Sequence, residues 1–233
     1  MLFDIFDYIK SGNYSMIFIN LATMLFVVFC TMPVHEYAHA WMAVKQGDDT
    51  PRLSGRLTLR PMAHIDPIGA IMIFLVGFGY AKPVQVNIRN LKKGRVSFAL
   101  VALAGPVSNL IMALIFFFCD AVVDVIAFNA VDMPIAVYTV LSMFFSLAAS
   151  INVSLAVFNL LPVPPLDGSR IVTLLIPSKY YYKIMKYERY IMIGMFVLLW
   201  TGLLSTPLSW LAGLASAGLS WIARLPFTLT GVL

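Results

Sequence analysis

The chain has 233 residues, 61% of them hydrophobic and 12% charged, with mean hydropathy +0.88 and formal charge +5. That length holds one domain or two small ones. At about half the charge of an ordinary soluble domain, the composition excludes a water-soluble globule and marks a polytopic membrane protein.

From the N-terminus, MLFDIFDYIKSGNYS carries Asp4 and Asp7 but no basic start and no small-residue cleavage site, so it reads as a short interfacial helix, not a signal peptide. Five segments are expected to span: Ser15 to Lys45, Arg95 to Cys119, Met133 to Leu161, Tyr190 to Leu204 and Pro207 to Ala223. Each approaches or exceeds the roughly 20 residues that cross a hydrocarbon core, the fourth being the shortest. The run Ile68 to Ala81 (IGAIMIFLVGFGYA) has 14 residues and three glycines, the pattern of a re-entrant or interfacial segment. Cys30 and Cys119 lie in or beside apolar runs, which argues against a disulfide framework and a cysteine-built zinc site.

Charge orients these segments. Arg52, Arg56 and Arg60 precede the short run, and Lys82, Arg89, Lys92, Lys93 and Arg95 follow it, so both flanks read as cytoplasmic. Asp120 to Asp132 has three acids and no base and reads as outer. Pro162 to Arg189 is basic again, and Arg224 follows the last expected span. The expected path is N-terminus out, C-terminus in. The basic residues report orientation, and no nucleic-acid partner is expected.

Two stretches alternate with period two, RLTLR (Arg56 to Arg60) and PVQVNIR (Pro83 to Arg89), and read as strands. Paired, they would form a small membrane-associated β-sheet; apart, two surface strands of a cytoplasmic loop. The expected fold is thus all-α and polytopic, with about five transmembrane helices, a small sheet and a re-entrant segment. A single domain covers 1–233, with core motifs in 15–170 and C-terminal helices in 171–233.

The chemistry concentrates in TMPVHEYAHAW. Residues four apart share a helical face, so His35 and His39 can present imidazoles to one point, with Glu36 beside them as a base. The chain has three histidines and two glutamates, and this stretch uses two and one of them. Ionisable groups within a span are costly and by default functional. Pro33 removes a helix hydrogen bond and predicts a kink. About ten residues before Lys45, His35 falls roughly two-thirds of the way across, towards the cytoplasm.

A catalytic zinc site needs a third protein ligand. His64 and Asp66 in AHIDPIG and Asp167 in NLLPVPPLDG are the candidates, all near the cytoplasmic side. Asp167 is the better one: Pro162, Pro164 and Pro165 break a long span just before it, and irregular backbone at membrane depth belongs where it lines a polar cavity.

His35-Glu36-x-x-His39, followed far downstream by Asn159-Leu-Leu-Pro-x-Pro-x-Leu-Asp167-Gly168, resembles the site-2 protease family of intramembrane zinc metalloproteases. GRLTLRPMAHIDPIG, AKPVQVN and AGPVSN resemble its compact bacterial branch, which lacks a PDZ domain. The resemblance covers Pro33 to about Arg170. It implies one zinc ion per chain held by His35, His39 and Asp167, with Glu36 as general base. It also implies a multi-pass protein of a bacterial cell membrane, cutting a transmembrane protein substrate in the lipid bilayer.

Asn159, in the same motif, is the candidate side-chain donor to the oxyanion, against a packing role. Asn152 and Asn109 read first as packing groups and second as groups that bond a metal ligand or the substrate. His64 and Asp66 have the same second reading, against a side-chain-stabilised turn before Pro67. An edge of one expected strand would hold an unwound substrate by strand addition. The competing functions are a membrane ion transporter, against which stands the absence of a repeat relating the two halves, and a non-cleaving helix-binding relative, against which stands the complete ligand-and-base set.

Overall fold

The first apolar run folds as one long rod with a flaw in the middle. Helix α1 (Tyr14–Phe26) starts at Asn13, whose side chain accepts from Met16 N–H. A π-helical turn, Val27–Thr31, leads directly into α2 (Met32–Lys45). Pro33 is the cause: it has no N–H, and its ring would clash with the carbonyl four residues back. The wider turn absorbs both defects, so the backbone bulges where a kink was expected. Inside it the buried Thr31 hydroxyl donates to Val27 C=O at 3.0 Å.

The structure, a computed structural model, describes residues 8–69, 82–129, 132–176 and 178–231. After α2 come two single-turn helices, α3 (Thr50–Leu53) and α4 (Pro61–His64), then α5 (Arg95–Asn129) and α6 (Ile135–Asn159). The C-terminal part holds α7 (Asp167–Ile171), α8 (Ser178–Met185), α9 (Glu188–Trp200) and α10 (Ser205–Leu229). Helices α5 and α6 form the central pair, with Phe116 packed on Ala148 and Ala149, small residues that let the backbones approach. Phe26 of α1 joins them edge-on, its ring 5.6 Å from Phe116 and 5.4 Å from Phe144. Nearer the start of α5, Ala43 of α2 packs with Phe98 and Val101.

Among the described residues three helices are long and apolar enough to cross a membrane: Tyr14–Lys45, Arg95–Asn129 and Ile135–Asn159. The expectation of about five is corrected. The fourth expected span lies in α9, whose 13 residues rise about 20 Å, short of a roughly 30 Å hydrocarbon core. The fifth lies in α10, long enough at 25 residues but diluted by Ser205, Ser209, Ser216, Ser220 and Arg224.

The small β-sheet is also corrected, since no strand forms among the described residues. Arg56 to Arg60 turns on itself: Arg56 donates to Ala63 C=O, Thr58 C=O pairs with His64 Nε2 at 2.7 Å, and Pro61 starts α4. Residues 82–87 run without regular structure, and the N–H of Asn87 goes to the carboxylate of Asp48 at 2.6 Å. In both places side chains take the backbone groups that strand pairing would have used. The expected re-entrant run falls on residues 70–81, outside the described ones, apart from Ile68 and Gly69.

Helix α5 runs past Cys119 to Asn129 and carries Asp120 and Asp124 within it, each 6% exposed. Those carboxylates are satisfied inside the bundle. Ser142 and Ser146 donate to Asp120 at 2.7 and 2.9 Å, and Tyr138 donates to Asp124 at 3.0 Å. Arg224 of α10 donates to Asp124 at 2.7 Å, closing the cluster. The end of α10 therefore lies beside the end of α5 remote from Arg95. The charge pattern assigned Arg224 and Asp120–Asp132 to opposite faces; the ion pair puts them on one.

Candidate metal centre

His35 and His39 sit on one face of α2, 8% and 7% exposed. Their Nε2 atoms are 3.0 Å apart, and Asp167 Oδ2 lies 3.3 Å from the first and 3.2 Å from the second. Asp167 comes from 128 residues beyond His39, at the first position of α7. The prolines after α6, with a cis bond between Pro164 and Pro165, turn the chain back. Gly168 then packs so closely on the carbonyls of Leu160 and Leu161 that a Cβ would collide with them.

Hydrogen bonding alone does not account for this convergence. His39 Nδ1 lies 2.7 Å from the Val101 carbonyl of α5, which can only accept, so the ring proton is assigned to Nδ1. In the neutral ring Nε2 then offers a lone pair to a carboxylate oxygen and a second imidazole nitrogen, an arrangement that calls for a cation between them. Zinc bound at 2.0–2.2 Å in a tetrahedron sets its ligand atoms about 3.3–3.5 Å apart, close to the observed spacing. The donor set of two imidazoles and one carboxylate suits it, and the Val101 carbonyl is the outer partner that fixes one ligand's tautomer. His35 Nδ1 is buried without a partner among the described residues, so packing holds its orientation there.

Helix α5 supplies the floor. Gly105 faces both rings so closely that a Cβ there would lie 2.6 Å from His35 Nε2 and closer still to His39 Nε2. Pro106, next in the chain, leaves Ala102 C=O without its helical N–H.

The three atoms open into a cleft of about 370 Å³, lined also by Glu36, Asn109, Asn159, Arg170 and Met192. Glu36 is beside the His pair, as the spacing required. Asn159 is present, but one of its N–H groups is already given to Leu155 C=O at 3.0 Å. Arg170 lies over the Phe98 ring at 5.3 Å. Although Arg170 is three residues after Asp167, the close side-chain partners of Asp167 among the described residues are the two histidines.

One wall of the cleft is Pro83, Val84 and Val86. This wall is pinned by Asp48, fully buried just beyond α2. Besides Asn87 N–H, Asp48 accepts from Thr50 N–H at 3.1 Å, Thr50 Oγ1 at 2.5 Å and Asn90 Nδ2 at 3.0 Å. Burial works against its ionisation, but the bonds from Thr50, Asn90 and Asn87 outweigh it and hold the carboxyl below the usual carboxylate range.

Three other sequence candidates lie elsewhere. His64 is fully buried in the loop, bonded to Thr58 C=O, and does not line the cleft. Asp66 accepts from Ile68 and Gly69 N–H, both at 3.0 Å, which is the turn-stabilising role. Asn152 donates to Ala148 C=O at 2.8 Å, inside the bundle. Val101, Arg170 and Asp48 were not singled out by sequence, whereas Gly105 lies in the AGPVSN segment of the resemblance.

Comparison with known proteins agrees with this chemistry. Residues 23–202 match the model of Peptidase family M50. The chain is 44% identical over 180 residues to YwhC of Bacillus subtilis, whose name is that of a zinc metalloprotease, covering 77% of this chain and 81% of that one. It is 30% identical over 159 residues to Rip2 of Mycobacterium tuberculosis, also named for a zinc metalloprotease, covering 66% and 56%. A Rip2 of Mycolicibacterium smegmatis is 27% identical over 167 residues. No solved structure matches the chain. With the family matched over more than half its length, this chain belongs to peptidase family M50 and is a zinc metalloprotease.

Proposed function

We propose that the protein is an intramembrane endopeptidase that hydrolyses peptide bonds in or near transmembrane segments of other membrane proteins, with its site towards the cytoplasmic face. The observation that carries this reading is the convergence of His35 Nε2 and His39 Nε2, on a helix long enough to cross a bilayer, with Asp167 Oδ2. The depth of His35, about ten residues before Lys45, and the basic loops around it support the cytoplasmic placement.

In this reading His35, His39 and Asp167 hold the zinc ion, which when bound polarises the scissile carbonyl and makes water a nucleophile near neutral pH. Glu36 takes the proton from the attacking water and returns it to the leaving nitrogen. Asn159 keeps a second N–H for the oxyanion, beyond the one spent on Leu155. Val84, Val86, Leu155 and Leu166 give the cleft apolar walls around these groups.

The test is Glu36→Gln in purified full-length protein, with zinc measured by mass spectrometry and substrates sought by comparing membrane proteomes of cells carrying either form. The variant should retain about one zinc per chain and lose cleavage by at least about 10²-fold. Full cleavage by Glu36→Gln would remove the proposed base. Products ending in soluble regions far from any span would remove the intramembrane reading.

A further inference from the structure

Asn109 of α5 lines the cleft although only 2% of it is exposed. The other two asparagines of the bundle core, Asn152 and Asn159, fold back and donate to the carbonyl four residues earlier in their own helix. For Asn109 that carbonyl is Gly105 C=O, and it already receives the Ser108 hydroxyl at 2.7 Å. Among the described residues, none makes a hydrogen bond to the Asn109 carboxamide. Nor is the group sealed: Asn152 Oδ1 is an enclosed atom without a partner, and no atom of Asn109 is. The small accessible remainder of Asn109 is therefore its carboxamide, opening into the cleft.

An amide held this way leaves its hydrogen-bonding capacity unspent within the fold and free for a group in the cleft. Its position suggests which group. Gly105 faces the Nε2 atoms of both histidines. Asn109 lies one turn further on the same face, about 6 Å along α5 and away from the Arg95 end. An extended peptide advances about 3.3 Å per residue. A substrate whose scissile carbonyl sits at the histidine pair therefore passes Asn109 about two residues away, on the side deeper in the bilayer. Once that segment unwinds, its C=O and N–H groups have lost their helical partners where lipid offers none.

Building on the proteolytic reading above, we propose that Asn109 is a substrate-binding residue: its carboxamide donates to the C=O and accepts from the N–H of one extended residue about two residues from the scissile bond. Its NH₂ supplies a donor beside its carbonyl oxygen as acceptor, the complement of the N–H and C=O that an extended residue turns to one side.

The test measures binding to the zinc-loaded full chain in detergent. The probes are acetohydroxamic acid, which reaches only the metal, and two hydroxamates carrying a leucyl-leucine main chain on either side of the chelating group. Asn109→Leu should keep its zinc and bind acetohydroxamic acid as the wild type does. It should bind at least one extended probe about 3- to 10-fold more weakly, the loss expected for a hydrogen bond. Replacing the second amide of that probe by an ester should weaken wild-type binding and leave Asn109→Leu unaffected. Equal affinity of both extended probes for wild type and variant overturns the inference, as does an equal loss for all three. If Asn109→Leu does not hold zinc, Asn109→Ala is read in its place, and loss of zinc from both assigns Asn109 to the fold. Failure of every probe to bind the wild type defeats the proteolytic reading instead.

Discussion

Arg224 Nη2 lies 2.7 Å from Asp124 Oδ2 and 3.8 Å from Asp120 Oδ2, joining two helices 100 residues apart in the chain. It is the only cation among the described ion pairs of that carboxylate cluster. Removing it leaves Asp124 buried and short of a partner. Arg224→Leu should destabilise the protein by about 1–2 kcal/mol, the lower part of the range for charged hydrogen bonds because the guanidinium is half-exposed. Arg224→Lys should recover part of that. Thermal unfolding in detergent reads both, and a wild-type transition in Arg224→Leu would show that the pair contributes nothing.

The same contact fixes sidedness. Single cysteines introduced at Asp132 and Thr230, in a background with Cys30 and Cys119 replaced by serine, should react with a membrane-impermeant maleimide from one face of sealed vesicles. Labelling from opposite faces would contradict the packing of α10 on α5.

Gly105→Ala should abolish metal binding while leaving α5 helical, since alanine is the better helix former. The added methyl would occupy the space facing both Nε2 atoms. Zinc content after dialysis should fall below about a tenth of the wild-type value, since displacing ligands costs at least as much as the 10- to 100-fold known for outer partners. A variant with full zinc would mean that α5 moves aside freely.

Asp48 sets an acid limit on the cleft wall. Its carboxyl is held below the usual range in the fold, so at intermediate pH the unfolded chain binds more protons and stability rises with pH. The contribution is complete above the unfolded value of about 3.9 and is lost as pH falls through the lower folded value. Melting temperatures of wild type and Asp48→Asn should therefore differ most at neutral pH and converge in acid. A constant difference from pH 3 to 7 would rule out ionisation as the source.

The half of the site on α2 was legible because a helix imposes its period: His35, Glu36 and His39 need only a 3.6-residue repeat to meet. Asp167 was reachable through the prolines before it, whose effect on the backbone is local. The rest depends on contacts between distant segments. Nothing in the sequence near Val101 says that its carbonyl meets His39, or that Gly105 meets both rings. The alternation in Pro83 to Arg89 was real, yet Asp48, a residue 39 positions earlier, took the Asn87 N–H that a partner strand would have used. Asp120 and Asp124 were read as loop because acids in a span are rare, and their serine, tyrosine and arginine partners come from two other helices.

The π-turn at Val27–Thr31 gives the first rod two independent registers. Each α-helical residue turns the face by about 100°, so in an unbroken helix the lipid-facing stripe of α1 would dictate where His35 points. With the wider turn between them, α1 can be re-phased by one residue without re-aiming the imidazoles of α2. Changes in chain length on the two sides of the turn should thus have unequal consequences. A one-residue deletion within 27–31 alters a joint, whereas the same deletion between His35 and His39 takes apart the pair.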